Sequence, residues 1–360
     1  MYKKITIITV ALLTVFSIMH AAAPKREFRG SWISTAWALD WPKDDSGNAI
    51  YGTSADAQAK QKAALVKLLE SLKNDGFNVA FFQVRPMCDA FYKSSYVPWS
   101  SYLSGSRGTD PGWDPLEYAI EEAHKRGIEL HAWLNPYRWS SSASNNWSTS
   151  YDMEFRNSGM LVTEGSLTCL NPGLQSVIDH IVNVTKEICA NYKVDGIVFD
   201  DYFYPNGMAE TSSAADYQLY KDSGTTMTIG NWRRANVNKM VKAVYDAVKS
   251  TRPEARFGIS PAGVAKNGAS AAGINPPSIG ASDWQYSDIY SDPIAWVHDG
   301  SLDYISPQIY WATTHSTAPF GPLTKWWSET AAHFNRHHYA SHSISALSSS
   351  NTESNWKEYG

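Results

Sequence analysis

The chain has 360 residues, 43% of them hydrophobic, and a formal net charge of −4. That balance gives nucleic acid no electrostatic footing, and the apolar content suits one large core. The three cysteines, Cys88, Cys169 and Cys189, form no C-x-x-C pair, which argues against a disulfide framework or a zinc site.

In chain order, Lys3 and Lys4, the apolar run Ile5–Met19 and the small residues Ala21, Ala22 and Ala23 have the layout of an export signal. The run is shorter than the ~20 residues that span a bilayer. Residues 1–23 are therefore expected to be removed, leaving 24–360 as one exported domain with no lasting membrane insertion. Beyond them, strand-like and helix-like segments alternate. Phe28–Thr35 predicts a first strand, and the apolar spacing of Gln58–Asn74 predicts a helix stopped at Gly76. Val79–Pro86 is a second strand, followed by a helix over Pro115–Arg126 that closes at Gly127. Ile128–Pro136, Gly196–Tyr202, Arg256–Pro261 and Tyr304–Trp311 read as further strands. Helices over Leu174–Tyr192, Asn231–Thr251, Ile289–His298 and Leu323–Asn335 separate them, and His338–Ser345 is a seventh strand.

Such alternation implies a parallel sheet with right-handed crossovers, here an α/β fold of the (β/α)8 barrel type. No G-x-G-x-x-G follows the first strand, which removes the dinucleotide-binding alternative. Too little chain follows Ser345 for an eighth strand and its helices, so the barrel is expected to be truncated before its last unit. The segments Tyr137–Asn171, Phe203–Gly230 and Ala262–Asp288 are long for connections and should gather on one face, as functional loops do.

The segment DGIVFDDYFYP, Asp195 to Pro205, carries the most chemistry. A buried strand ending in two carboxylates is costly unless the chain opens there into a cleft, and barrels of this kind place their chemistry at that end. Side chains alternate along a strand, so Gly196, Val198 and Asp200 share the tapering interior face while Ile197, Phe199 and Asp201 share the other. Asp200 then points into the mouth, and Asp201 points outward unless the strand has already ended. Hydrolysis of a glycosidic bond needs two carboxyl groups, one of them holding a proton. Asp200 is the expected nucleophile; the competing reading makes it a structural acid bridging Arg85. Asp201 and Asp292 are candidates for the second carboxyl, with Asp89 behind them. Asp292, before Pro293, also has the pattern of a helix N-cap, and Asp89 that of a turn residue.

Gln83 and Arg85 share a face of the second strand, and an arginine beside Asp200 would keep that carboxylate ionised. Asn135, Tyr137 and Arg138 close the third strand, where their donors would hold sugar hydroxyls. Tyr202, Gln308, Tyr310 and Trp311 follow strand ends, and Trp37 lies just beyond the first strand as a stacking platform. Core filling competes for any one tryptophan, and His131 reads as a core histidine. The histidines offer no ligand spacing beyond His338 and His342, so neither metal nor cofactor is expected. No G-x-S-x-G nucleophile elbow occurs.

RGSWISTAWALDWP, FFQVRPMCDAFY, HAWLNPYR, DGIVFDDYFYP, FGISPAGV and DYISPQIYW, in that order, resemble the glycosyl-hydrolase-like 10 family over about residues 26 to 346. The resemblance implies a (β/α)8 barrel related to retaining glycosidases, in an exported bacterial protein. Characterised relatives point to the glycan strands of peptidoglycan. The expected function is that of a glycoside hydrolase cutting a cell-wall polysaccharide; the alternative is a glycan-binding barrel without catalysis.

Overall fold

The computed structural model describes residues 27–267, 275–277 and 279–343. The expected export segment and the end of the last expected strand lie outside them.

Seven strands form one parallel sheet in the order β1 (Gly30–Ile33), β2 (Val79–Arg85), β3 (Glu129–Leu134), β7 (Gly196–Phe199), β8 (Arg256–Ile259), β9 (Tyr304–Ile305) and β10 (His337–His338). The intervening β4 (Arg138–Ser140), β5 (Leu161–Glu164) and β6 (Leu167–Leu170) make a small antiparallel sheet in the segment expected to be loop. Helices cover the outside. Ala55–Asn74 starts at Ser54, whose side chain accepts the Ala57 N–H, and Pro115–Lys125 starts at Asp114, which caps Glu117. Gln175–Asn191 and Ile229–Thr251 are the longest of the later helices. Among the described residues, no helix is long and apolar enough to cross a membrane.

Strand alternation sorts the core into two parts. Ala80, Phe82, Leu130, Ala132, Ile197, Phe199, Phe257 and Ile259 face the helices. Val79, Phe81, Trp133, Val198 and Tyr304 fill the inside of the curled sheet, with Phe28, Trp32 and Tyr339 packed on them. The two edge strands meet across this interior through side chains. Phe28 stacks on Tyr339 at 4.0 Å, and the Trp32 indole donates to Ser341 Oγ at 3.2 Å. A closed barrel of this type has about eight strands, and the described residues supply seven of them.

His131 is buried within the interior, its Nδ1 2.9 Å from the Tyr304 hydroxyl. Both bulky side chains fit because they lie against glycines. A Cβ on Gly196 would collide with the His131 ring, and one on Gly258 would land inside the Tyr304 ring. Neither neighbour is the free end of a flexible chain. Gly258→Ala is therefore expected to destabilise the domain by about 1–3 kcal/mol, the usual cost of overpacking. Urea unfolding measures it, and an unchanged midpoint would contradict this packing.

Candidate active site

β7 ends at Phe199, so the chain leaves the ladder at Asp200 and alternation no longer governs the residues beyond it. Asp200 Oδ1 accepts the backbone N–H of Asp201 at 2.9 Å and the Gln308 amide at 3.1 Å. Gln308 also donates to the Ser260 carbonyl at 3.0 Å, and its backbone bridges Ala262 and Ser341. One residue thus ties the end of β7 to the end of β8 through its side chain and to the chain after β10 through its backbone. Asp201 does not point outward into the helices. It is 8% exposed, and a side-chain hydrogen bond joins its carboxyl to that of Asp200. Two carboxyls sharing a hydrogen bond cannot both ionise freely. Burial raises both, and the charge of Asp200 pushes Asp201 well above the usual carboxylate range.

The cation facing this pair is Arg138, not Arg85. Its charge acts on Asp200 and Asp201 in the opposite sense to burial. The Arg138 guanidinium lies 3.6 Å from the Tyr202 ring centre, and its buried Nε has no partner among the described residues. Its place is fixed by the small antiparallel sheet, in which Arg138 pairs with Cys169. Arg85 goes elsewhere because β2 slips against β3: Gln83 lies opposite Trp133 and Arg85 opposite Leu134, two residues against one. The slip turns Arg85 to the helix side with Leu134. There it donates to the carbonyls of Asn135 (2.7 Å) and Pro136 (3.0 Å) and approaches Cys88 Sγ and the ring of His180. The His180 ring, held neutral by burial with its pKa lowered to about 3, suits that contact. Arg85 anchors the turn that carries Arg138 and does not touch Asp200.

The other expected residues divide by exposure. Gln83 is buried and accepts the N–H groups of Thr35 and Ala36, both at 2.9 Å, so it pins the turn after β1. Asn135 is spent internally on the Trp133 indole and the Pro86 carbonyl, and Tyr137 is fully buried. Asp89 accepts the Met87 N–H and lies 3.5 Å from Arg107, a turn residue in an ion pair. Asp292 caps the helix Pro293–His298 by accepting the Ala295 N–H at 3.1 Å. Three aromatic residues remain open to solvent: Trp37 at 51%, Tyr202 at 41% and Tyr310 at 41%. Trp311 is half-buried near His315. Trp37 holds a left-handed backbone at φ 55°, which a bulky residue adopts only when its surroundings impose it.

Tyr102 belongs to this region and carries no local sequence signal. Its phenol, raised to about 12 by burial and the Asp89 charge, takes a hydrogen bond from the Trp37 backbone and feels Arg138. Tyr310 is raised by burial and then by the charges of Asp200 and Asp201, and its hydroxyl shares a hydrogen bond with the Ser341 side chain. The mouth therefore offers two neighbouring carboxyls that burial raises, Asp201 further than Asp200, together with a guanidinium, two tyrosines and a displayed indole.

The curled parallel sheet with helices outside it is an α/β fold of the barrel type, and the Asp200–Asp201 pair lies at the carboxyl-terminal ends of its strands. The glycoside hydrolase domain of PgaB (BpsB) from Bordetella bronchiseptica has this fold, with a TM-score of 0.51 at 12% identity over 87% of this chain and 84% of that one. The chain belongs to the glycosyl hydrolase-like 10 family, which matches residues 27–358. The glycosyl hydrolase YngK of Bacillus subtilis is 38% identical over 314 residues, 86% of this chain and 59% of YngK. The glycosyl hydrolase DigH of Escherichia coli K12 is 38% identical over 313 residues, 84% of this chain and 69% of DigH. The matched part thus spans less than two thirds of the length of YngK.

Proposed function

We propose that this chain is an exported glycoside hydrolase that cleaves O-glycosidic bonds in a bacterial cell-wall polysaccharide, peptidoglycan glycan strands first. The observation that carries this reading is the hydrogen-bonded Asp200–Asp201 pair, flanked by Arg138 and the exposed rings of Tyr202 and Tyr310. One carboxyl held protonated beside one that ionises is the equipment for protonating a leaving oxygen while stabilising positive charge at the anomeric carbon. Open aromatic faces suit the C–H faces of pyranose rings. The names of the 38% identical relatives support glycosyl hydrolysis, and the basic-apolar-small order of residues 1–23 supports export.

The test is release of soluble saccharides from peptide-free glycan strands by the purified protein. Asp200→Asn is expected to lower release by roughly 10²–10⁴-fold with the fold intact. Undiminished release by that variant removes the proposed role of the pair. Strands that sediment with the protein yet are cut by neither form would instead favour the glycan-binding reading.

A further inference from the structure

The placement of the acid pair raises a question about the nucleophile. Double displacement through a sugar ester sets two carboxyls on opposite sides of the anomeric carbon, about 5–5.5 Å apart. Here both carboxyls leave the end of one strand as chain neighbours and share a hydrogen bond. The two other carboxyls the sequence offers to this mouth are engaged elsewhere, Asp89 with Arg107 and Asp292 as a helix cap. The fittings around the pair also suit a substrate amide. Asp200 is held in a fixed plane by two donors on its Oδ1, Gln308 and the Asp201 N–H. Its remaining capacity faces Asp201, whose hydrogen bond is a place-holder that another N–H donor can take. Tyr310 feels the charge of both acids, and the residue stays 41% exposed with its hydroxyl hydrogen-bonded to the Ser341 side chain. Arg138, 8% exposed, supplies the positive charge that acts on both acids.

We propose that the site takes a β-linked 2-acetamido-2-deoxy sugar, and that the acetamido oxygen of the substrate, rather than a protein carboxylate, attacks the anomeric carbon. This deepens the glycosidase reading and rests on it. On binding, the acetamido N–H replaces Asp201 as the donor to Asp200. The proton of Asp201 turns to the glycosidic oxygen. The acetamido carbonyl oxygen bonds to the anomeric carbon as the bond to the leaving oxygen breaks, and the leaving oxygen departs with the Asp201 proton. The positive charge of the resulting bicyclic ion is shared with its nitrogen, whose N–H rests on the Asp200 carboxylate. The Tyr310 hydroxyl donates to the carbonyl oxygen and aims it before it reacts. A water then enters from the vacated side and gives its proton to the Asp201 carboxylate. Its oxygen bonds to the anomeric carbon, the intramolecular carbon–oxygen bond opens, and the acetamido group is restored. The anomeric configuration is retained, and Asp201 ends protonated as it began.

The experiment uses the full chain and peptide-free glycan strands that have been chemically de-N-acetylated and then re-acylated with either acetyl or trifluoroacetyl groups. Fluorine withdraws electrons from the attacking oxygen, so trifluoroacetyl strands should release saccharides on the order of a hundredfold more slowly than acetyl strands. Strands left as free amines should not be cut. Tyr310→Phe should lower kcat on acetyl strands at least about tenfold without a matching rise in KM, since it removes a donor that orients the oxygen. Equal release from trifluoroacetyl and acetyl strands overturns the proposal while leaving the glycosidase reading standing. So does recovery of a sugar ester on Asp200 or Asp201 from quenched reactions. No release even from re-acetylated strands takes both readings down together.

Discussion

Replacing Asp201 with Asn is expected to stop glycan release and to raise thermal stability at neutral pH in the same protein. The carboxyl is 8% exposed and raised well above its usual range by burial, then by the Asp200 charge and the shared hydrogen bond. A folded-state pKa above the unfolded value means that the native state prefers the protonated acid. Its stabilising contribution is complete below the unfolded value, near 3.9, and is lost as pH rises through the folded value. At neutral pH the pair therefore sits above its most stable ionisation. Asn has the same shape and is neutral without taking up a proton on folding. The gain should be about 2–4 °C in Tm, what roughly 1 kcal/mol gives in a domain of comparable size. It should shrink toward zero as pH falls below 4, where Asp201 is protonated anyway. Activity should fall by roughly 10²–10⁴-fold, as when a general acid is removed. A Tm difference that does not change with pH would show that Asp201 is not the strained carboxyl described here.

Strand alternation sorts the side chains of β7 as the structure has them and misplaces Arg85, and both outcomes have the same physical root. Side chains alternate only while the backbone stays in register with its neighbours. From Gly196 to Phe199 it does, so Val198 points inward and Ile197 and Phe199 outward. Between Gln83 and Arg85 it does not, and one extra residue sends the arginine to the other face. Nothing in VAFFQVR marks that slip. The same limit applies to Asp201, which lies two residues beyond the end of β7. The antiparallel sheet that steers Arg138 toward the acids was legible in principle. LVTE and LTCL are short β-prone runs separated by Gly165 and Ser166, the spacing of a tight hairpin, with Gly165 at φ 57°. Tyr102 was not legible, because only the approach of two short helical turns, distant in sequence, brings it to Trp37. The cap at Asp292 was readable because capping is decided within four residues of chain, whereas the helix expected from Gln58 starts at Ala55 behind the Ser54 cap.

A second large effect is expected outside the cleft. Arg233 and Asp216 are both fully buried and bonded fork to fork, Nε to Oδ2 at 2.9 Å and Nη2 to Oδ1 at 2.6 Å. The same guanidinium donates to the Tyr290 hydroxyl at 2.7 Å and to the Ala209 carbonyl at 2.9 Å. It thereby fastens the segment after the acid pair to the helix Ile229–Thr251 and to the residues before Asp292. Arg233→Met keeps the volume and leaves the Asp216 carboxylate buried with no counter-charge, which costs about 3–5 kcal/mol when one partner of such a pair is removed. That is a large share of the roughly 5–15 kcal/mol that holds a domain folded. Chemical denaturation should show it directly, and adding Asp216→Leu should recover most of the loss, since the buried charge is then gone as well. Failure of the double variant to recover would mean that the hydrogen bonds to Tyr290 and Ala209, rather than the ion pair, hold the segment. Because that segment continues without a break from Asp200 and Asp201, the single variant should also lose saccharide release at temperatures where it is still folded. Activity should return with stability in the double variant, since neither Arg233 nor Asp216 contacts the acid pair.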